Sequence, residues 1–511
     1  MKFNKSHIPL AIITIVFTIV YIFCFDAKPD VNGDNAQYVR LAQNLANGLG
    51  YSNVTPSGIT PASHYPPGYA AFLAIVSLMG GANLILFKVL NGVFMLCSLL
   101  LLFYVVKQVT ENWKLALLVA LLPIFSTRLI NFSFMIMSEM SYMFMTVLAL
   151  YALYKESERE TDKLVFWKST YFYVAIVAAV ASYYIRTVGI SAIFAVLVFY
   201  AFRKEWKQLL ASAAGVVLLL LPWSIRNSIH GIESRYMGTV MTVNPWRPEE
   251  GTISSFGEMI EKMVTNFDDT VIKGFRFSLF PILGADFKTP SDTMMIIVGL
   301  IILAIVIWGA WKMGKLRYYM LAFLIANIGL FMLWHGGNQE RYVIPIIPYI
   351  FVCFFVGLYK LTTLKFKYSP LLLLLFILPM VPFIMQRREI SQKPYSPGYD
   401  SYFRAVNMLK KIPKGAVVCC RKPEFLVFYA SNAIGTNYLY SLDTEEVIRD
   451  LVEKNVDIVI LDNMGFASTV RYLYPAIKAH DDLFVPVHET EGEPITYIIQ
   501  FDRKKAMEQG F

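Results

Sequence analysis

Residues 83–106 read NLILFKVLNGVFMLCSLLLLFYVV, with Lys88 the single charge in the run. At 1.5 Å per residue such a helix is long enough to cross a bilayer core of about 30 Å. Runs of the same kind lie near 115–131, 133–154, 171–185, 188–202, 207–222, 293–311, 317–333, 341–359 and 368–385. Met1–Phe25 adds another: Lys2 and Lys5 precede an apolar stretch from Ile8, and no small-residue cleavage site follows it. It therefore reads as a first transmembrane helix rather than a signal peptide. Eleven spans are expected.

Composition agrees. Of 511 residues, 56% are apolar and only 16% charged, with a mean hydropathy of +0.51. Soluble domains carry about 25% charge, and disordered chains are poor in aromatics, so both classes are excluded. Five cysteines without a C-x-x-C pair exclude a disulfide scaffold. The net charge of +9 does not indicate nucleic-acid binding, because the excess sits in short segments between apolar runs. With Lys2 inside, the N-terminus and the inner loops together hold seventeen Lys and Arg, whereas the short outer loops hold Arg128, Arg186 and Arg341 alone. That asymmetry follows the positive-inside rule. It places the N-terminus in the cytoplasm, and 26–82, 223–292 and everything after about 386 outside it.

Residues 1–385 thus form a membrane domain, with a linker at 386–399 and a soluble extracytoplasmic α/β domain at 400–511. In the last segment, Ala416–Cys420, Asp457–Leu461, Phe484–His488 and Thr496–Phe501 have strand character. Ser401–Lys411, Thr444–Asn455 and Ala467–Ala479 have amphipathic helical spacing. Asp443 with Glu446 resembles a capping box. Neither G-x-G-x-x-G after a strand nor a P-loop occurs, so nucleotide binding is unsupported.

Several polar groups gather on the expected outer side. Pro29-Asp30-Val31-Asn32-Gly33-Asp34 opens a helical stretch with Tyr38, Leu41, Ala42, Leu45 and Leu49 on one face, a pattern suited to a helix lying on the membrane surface. Locally, Asp34 reads either as an N-cap, with Gln37 completing a capping box, or as a chemical group. His64-Tyr65-Pro66-Pro67-Gly68-Tyr69 is a turn signal, and His64 taken alone is more simply structural than catalytic. Glu139, the seventh residue of the 133–154 run, would lie about 10 Å below the outer face, a depth at which a carboxylate marks a functional or cavity-lining site. Arg186, Arg226 and Arg341 end outer helices. Singly each could snorkel; together they suit an anion, and Arg is adapted to bidentate phosphate contact. Lys88 fits either reading. No zinc or di-iron spacing occurs among the six histidines, so a divalent metal has no support in ligand spacing.

These elements, in this order and on one side, resemble the membrane glycosyltransferases of the GT-C superfamily, specifically the family 39 and aminoarabinose-transferase-like group. The resemblance spans about residues 8–385: Asp34-Asn35-Ala36-Gln37-Tyr38, His64–Tyr69, Glu139, Pro222-Trp223-Ser224-Ile225-Arg226-Asn227, and Arg341-Tyr342 before Pro345 and Pro348. Many relatives carry Asp-Glu where this chain has Asp34-Asn35, which puts the second acidic role on Glu139. The resemblance implies transfer of a sugar from a polyprenyl-phosphate donor to a lipid, glycan or protein acceptor outside the cytoplasm, in a bacterial inner or plasma membrane. Asp34 would be the general base. Arg186, Arg226, Arg341 and Lys88 would hold the donor phosphate, and Glu139, His64, Tyr65, Tyr38 and His335 would orient substrate. A lipid-linked oligosaccharide polymerase or ligase is the alternative, needing no C-terminal α/β domain. A transporter of lipid-linked sugar ranks below it, since no paired interrupted helices occur.

Overall fold

The computed structural model describes residues 7–31, 33–159, 163–233, 236–244, 247–334, 339–361 and 375–511. Helices α1 (Ile8–Cys24) and α2 (Asp34–Ala46) precede an antiparallel hairpin, β1 (Ser52–Thr55) and β2 (Gly58–Pro61). There follow α3 (Gly68–Gly80), α4 (Leu84–Thr110), α5 (Trp113–Leu121), α6 (Thr127–Ser133), α7 (Glu139–Ser157), α8 (Thr170–Ile185), α9 (Ile190–Phe202) and α10 (Trp206–Ile229). The segment expected as a second outer loop contains α11 (Tyr236–Met241), α12 (Phe256–Phe267) and α13 (Gly274–Leu279). Then come α14 (Thr293–Trp311), α15 (Arg317–Leu333), α16 (Gln339–Val343) and α17 (Ile347–Leu361).

Starts and stops follow local chemistry. The Asn83 side chain accepts the Ile85 and Leu86 amides to open α4, and Asn112 does the same for α5 through Lys114 and Leu115; both are strong N-caps. Among the described residues, five segments are long and apolar enough to cross a membrane: 84–110, 206–229, 293–311, 314–333 and 341–361. The bent pair 113–125 and 127–133, meeting at 73°, would add a sixth.

Two expected spans are redrawn. Residues 115–131 are not one straight helix, because Pro123 lies in a 3₁₀ turn that separates α5 from α6. The next helix starts at Glu139 rather than near 133, leaving 134–138 non-helical. Asn91 of α4 satisfies that break, donating from Nδ2 to the carbonyls of Met135 and Met137. A buried carbonyl outside a helix needs such a partner. The α2 face is also reassigned. Tyr38, Val39 and Ala42 pack with Tyr69 and Leu73 of α3, and Ala36 packs with Tyr402 of the C-terminal region, so protein covers much of it.

The expected linker is mostly helix: α18 (Val381–Gln392) runs through it, and α19 (Pro397–Met408) begins after four intervening residues. Beyond lie β3 (Val417–Cys419), α20 (Leu426–Tyr429), β4 (Ile434–Thr436), α21 (Thr444–Glu453), β5 (Ile458–Leu461), α22 (Tyr474–Ala479), β6 (Phe484–Glu489), β7 (Tyr497–Phe501) and α23 (Arg503–Glu508). The sheet order is β4-β3-β5-β7-β6, with β4, β3 and β5 parallel and β7 antiparallel to both its neighbours. Side chains alternate across it as strand geometry requires. Val417, Cys419 and Val459 pack with α21 and α22, while Val418, Cys420 and Ile460 pack with α19 and α20. The cysteine pair is thus split between two cores. Strand β4 escapes sequence reading because Ile434-Gly435-Thr436 holds one large apolar residue in three, whereas β3 is an unbroken apolar run.

Helices α14 and α17 cross at Gly309 and Gly357. A Cβ on Gly309 would overlap the Cys353 carbonyl, whereas one on Gly329 of α15 meets nothing within 4 Å. Gly309→Ala should therefore destabilise the protein by about 1–3 kcal/mol, the usual range for overpacking. Gly329→Ala should leave the melting midpoint in detergent almost unchanged.

A second expectation concerns pH. Asp462, at the end of β5, accepts the Met464 amide at 3.2 Å, but burial pushes its carboxyl up to about 6. The folded chain then keeps a proton that the unfolded chain releases near 3.8, so this group makes stability fall as pH rises between about 4 and 6. Unfolding curves of Asp462→Asn across that window should lose this part of the slope and gain stability at pH 7.

Candidate active site

The site is assembled where the first loop, the start of α7, the end of α8 and the start of α16 meet. Gly33 takes a φ of +93° and is the N-cap of α2, its carbonyl accepting the amides of Ala36 and Gln37. Asp34, the first helical residue, does not cap, and Gln37 completes no capping box but donates to Asn53 Oδ1. The Asp34 carboxylate turns inward instead. Its Oδ1 accepts the Tyr65 hydroxyl at 2.9 Å, and its Oδ2 accepts Arg341 Nη1 at 2.9 Å. Burial and the Asp34 charge raise the Tyr65 phenol well above its ordinary value, so Tyr65 stays a neutral donor.

Glu139 heads α7 rather than lying two turns inside it. Its Oε1 accepts Arg341 Nε at 2.7 Å and Arg186 Nη1 at 2.9 Å. Arg186 also donates to Ser138 Oγ at 3.0 Å, and Tyr38 donates to the same oxygen at 3.2 Å. Arg341 is thus a bridge between two carboxylates with different surroundings. The Glu139 side chain is 0% exposed and Asp34 27%. Glu139 Oε2 is buried without a hydrogen-bond partner. Buried ions persist only when paired, and here two guanidinium groups meet one inaccessible carboxylate.

Other expected residues fall around this core. Arg226 lies 4.5 Å over the Trp223 ring, donates to the Tyr51 carbonyl at 3.0 Å and to Asn227 Oδ1 at 2.9 Å. Tyr51 in turn donates to the Tyr65 carbonyl at 2.8 Å, so Arg226 borders the site through one intervening residue. Lys88 is not part of the cluster. Its buried ammonium donates to the carbonyls of Asp26 and Lys28, bracing the first loop where Arg387 also pairs with Asp26 at 3.1 Å. His64 is exposed, with its ring centroid 4.5 Å from that of Tyr65. His335 lies outside the described residues.

Sequence reasoning missed contributors from three segments. Ser138 joins Tyr38 to Arg186, and Asn91, a polar residue in the middle of an apolar run, holds the break before Glu139. The third is Lys422 with Glu424, from the turn after β3: a Cβ on Gly33 would lie 3.0 Å from Lys422 Nζ and 3.7 Å from Glu424 Oε2. Nothing in their local sequence links them to Asp34. Among the described residues, no group of three His, Cys, Asp or Glu side chains is placed to hold a metal ion.

The family model described as Domain of unknown function (DUF8201) matches residues 77–348. The chain belongs to this family. The matched region holds Glu139, Arg186, Arg226 and Arg341 but not Asp34 or Tyr65. No curated protein matches the chain. Among solved structures, ArnT from Cupriavidus metallidurans bound to undecaprenyl phosphate is similar at a TM-score of 0.60 and 11% identity, covering 97% of this chain and 98% of that one. The Archaeoglobus fulgidus oligosaccharyltransferase, in complex with Zn and sulfate, is similar at 0.58 and 12% identity, covering 96% and 72%. At this identity the likeness establishes the fold alone, a polytopic helical membrane fold.

Glu139→Gln would leave two arginines facing a neutral amide. Breaking a buried pair costs about 3–5 kcal/mol, so thermal unfolding should show a large loss of stability. Asp34→Asn, at the partly exposed end of the same network, should cost much less.

Proposed function

We propose that this protein transfers a sugar from a polyprenyl-phosphate-linked donor to an acceptor on the extracytoplasmic face of its membrane, by single displacement with Asp34 as general base. The reading rests above all on the partly exposed Asp34 carboxylate, held between Tyr65 and Arg341 in a fold shared with an undecaprenyl-phosphate-bound transferase. It takes the chain as an eleven-span protein of a bacterial inner or plasma membrane. The N-terminus lies in the cytoplasm, and residues 400–511 form an extracytoplasmic domain.

An acceptor hydroxyl is a weak nucleophile and needs a base within hydrogen-bond reach. Asp34 takes its proton as the acceptor oxygen bonds to the anomeric carbon, and the bond from that carbon to the lipid phosphate oxygen breaks. The phosphate departs with the electron pair. Protonation of Asp34 removes one of the two negative partners of Arg341 at the moment negative charge grows on the leaving group. Arg341 is then free to stabilise that charge, with Arg186 beside it and Arg226 at the border, as developing charge requires. Glu139 keeps both arginines in place. Lys88 supports the loop that carries Asp34 rather than the phosphate.

Asp34→Asn should lower transfer by about 10²-fold or more, the scale of general-base loss. Arg341→Lys, which cannot reproduce two planar contacts, should recover little activity. Both are read as radiolabelled sugar transferred from polyprenyl-phosphate sugar in membranes, with protein level and melting point measured alongside. Near-normal turnover in Asp34→Asn removes Asp34 as the base.

A further inference from the structure

The C-terminal sheet has a feature that the transfer reading does not use. Its three parallel strands run in the order β4-β3-β5, so the chain leaves β3 toward one side for β4 and returns past it to β5. The helices reflect this reversal: α20, between β3 and β4, packs on one face, and α21, between β4 and β5, on the other. Between β3 and β5 lies a topological switch point, and in open α/β sheets ligands bind in the crevice outside the carboxyl ends of the strands there.

Two short segments line that crevice. After β3 come Arg421, Lys422 and Glu424; after β5 come Asp462, Asn463 and Phe466. The Arg421 guanidinium lies 4.5 Å over the Phe466 ring, and the Lys422 ammonium 5.1 Å. Two polar atoms here are buried without a hydrogen-bond partner, Arg421 Nε and Glu424 Oε2, and such atoms ordinarily find one. The same edge meets the transfer site. Lys422 Nζ and Glu424 Oε2 stand over Gly33, the residue before Asp34, and Ala36 shares a core with Tyr402, Cys420 and Phe425. The Tyr402 hydroxyl donates to the Lys422 carbonyl at 2.8 Å, fixing the turn.

We propose that this crevice receives the acceptor, and that the acceptor presents a saccharide end there; the assignment rests on the transfer reading above. The chemistry favours a polyhydroxylated ligand. Donors from Arg421 and Lys422, acceptors from Glu424 and Asn463, and the Phe466 ring together match the hydroxyl edges and apolar faces of a sugar. A phosphate cradle is not built here: the turn after β3 holds Pro423 and no glycine, and α20 is a single turn of four residues. A saccharide seated in the crevice would point a hydroxyl past Lys422 and Glu424 toward Asp34.

The test uses the full chain in lipid nanodiscs and saturation-transfer-difference NMR with three probes: maltotriose, triacetylchitotriose and trigalacturonate. At least one should receive saturation from the wild type. Arg421→Ala and Glu424→Ala should weaken that binding at least tenfold, while Asp34→Asn binds as the wild type does. Should either alanine variant melt early, Lys422→Gln and Glu424→Gln, which keep side-chain volume, replace it and should weaken binding at least threefold. No saturation of any of the three saccharides, or equal binding by the folded crevice variants, overturns the assignment. The two readings fail separately: normal turnover in Asp34→Asn with saccharide binding intact defeats the base alone, and intact binding in the crevice variants beside an inactive Asp34→Asn defeats the crevice alone.

Discussion

Arg341 joins two carboxylates that the chain brings from far apart, Asp34 at the head of α2 and Glu139 at the head of α7. Everything around the site serves that bridge. An arginine at the edge of a membrane region persists when its charge is matched, and one fork of guanidinium nitrogens can satisfy two acids at once. Because one acid is sealed and the other partly open, the bridge has a fixed end and a working end. Arg186 stabilises the fixed end, and Tyr65 the working one.

The helix breaks follow from the same demand. Glu139 reaches Arg341 because 134–138 interrupt what the sequence presents as continuous apolar helix, and Asn91 supplies the hydrogen bonds that the interruption loses. On the other side of the cluster, Gly33 takes a backbone conformation open to few side-chain-bearing residues. It lets α2 begin at the carboxylate-bearing residue itself, Asp34. A side chain at 33 would also meet Lys422 and Glu424, so one glycine serves both the turn and the approach of the C-terminal region.

That approach ties the two halves together. Val31 and Ala36 from the first loop pack among residues of α19, β3 and α20, and Tyr395 donates to the Pro29 carbonyl at 2.8 Å. The C-terminal region is therefore a wall of the site as well as a sheet with its own cores, and its polar turn borders the carboxylate.

How much of this was legible in the sequence differs by scale. Apolar runs separated by short basic segments mark the membrane helices because burial in hydrocarbon is a property of about twenty consecutive residues. The strands β3, β5, β6 and β7 were legible because each carries a local run of apolar residues, whereas β4 and the β1–β2 hairpin are interrupted by Gly, Pro or polar residues. Asp34, Glu139, Arg186 and Arg341 stood out as polar groups where apolar ones are expected, and the structure brings these four together. Lys88 and Asp34 show the limit. A lysine in a span looks alike whether it faces an anion or loop carbonyls, and an aspartate at a helix start looks alike whether it caps or turns inward. Sequence alone determined which groups are costly to bury. Only the tertiary structure decided which partners offset that cost, because pairing depends on distances between segments as far apart as the 307 positions from Asp34 to Arg341, and no local pattern encodes them.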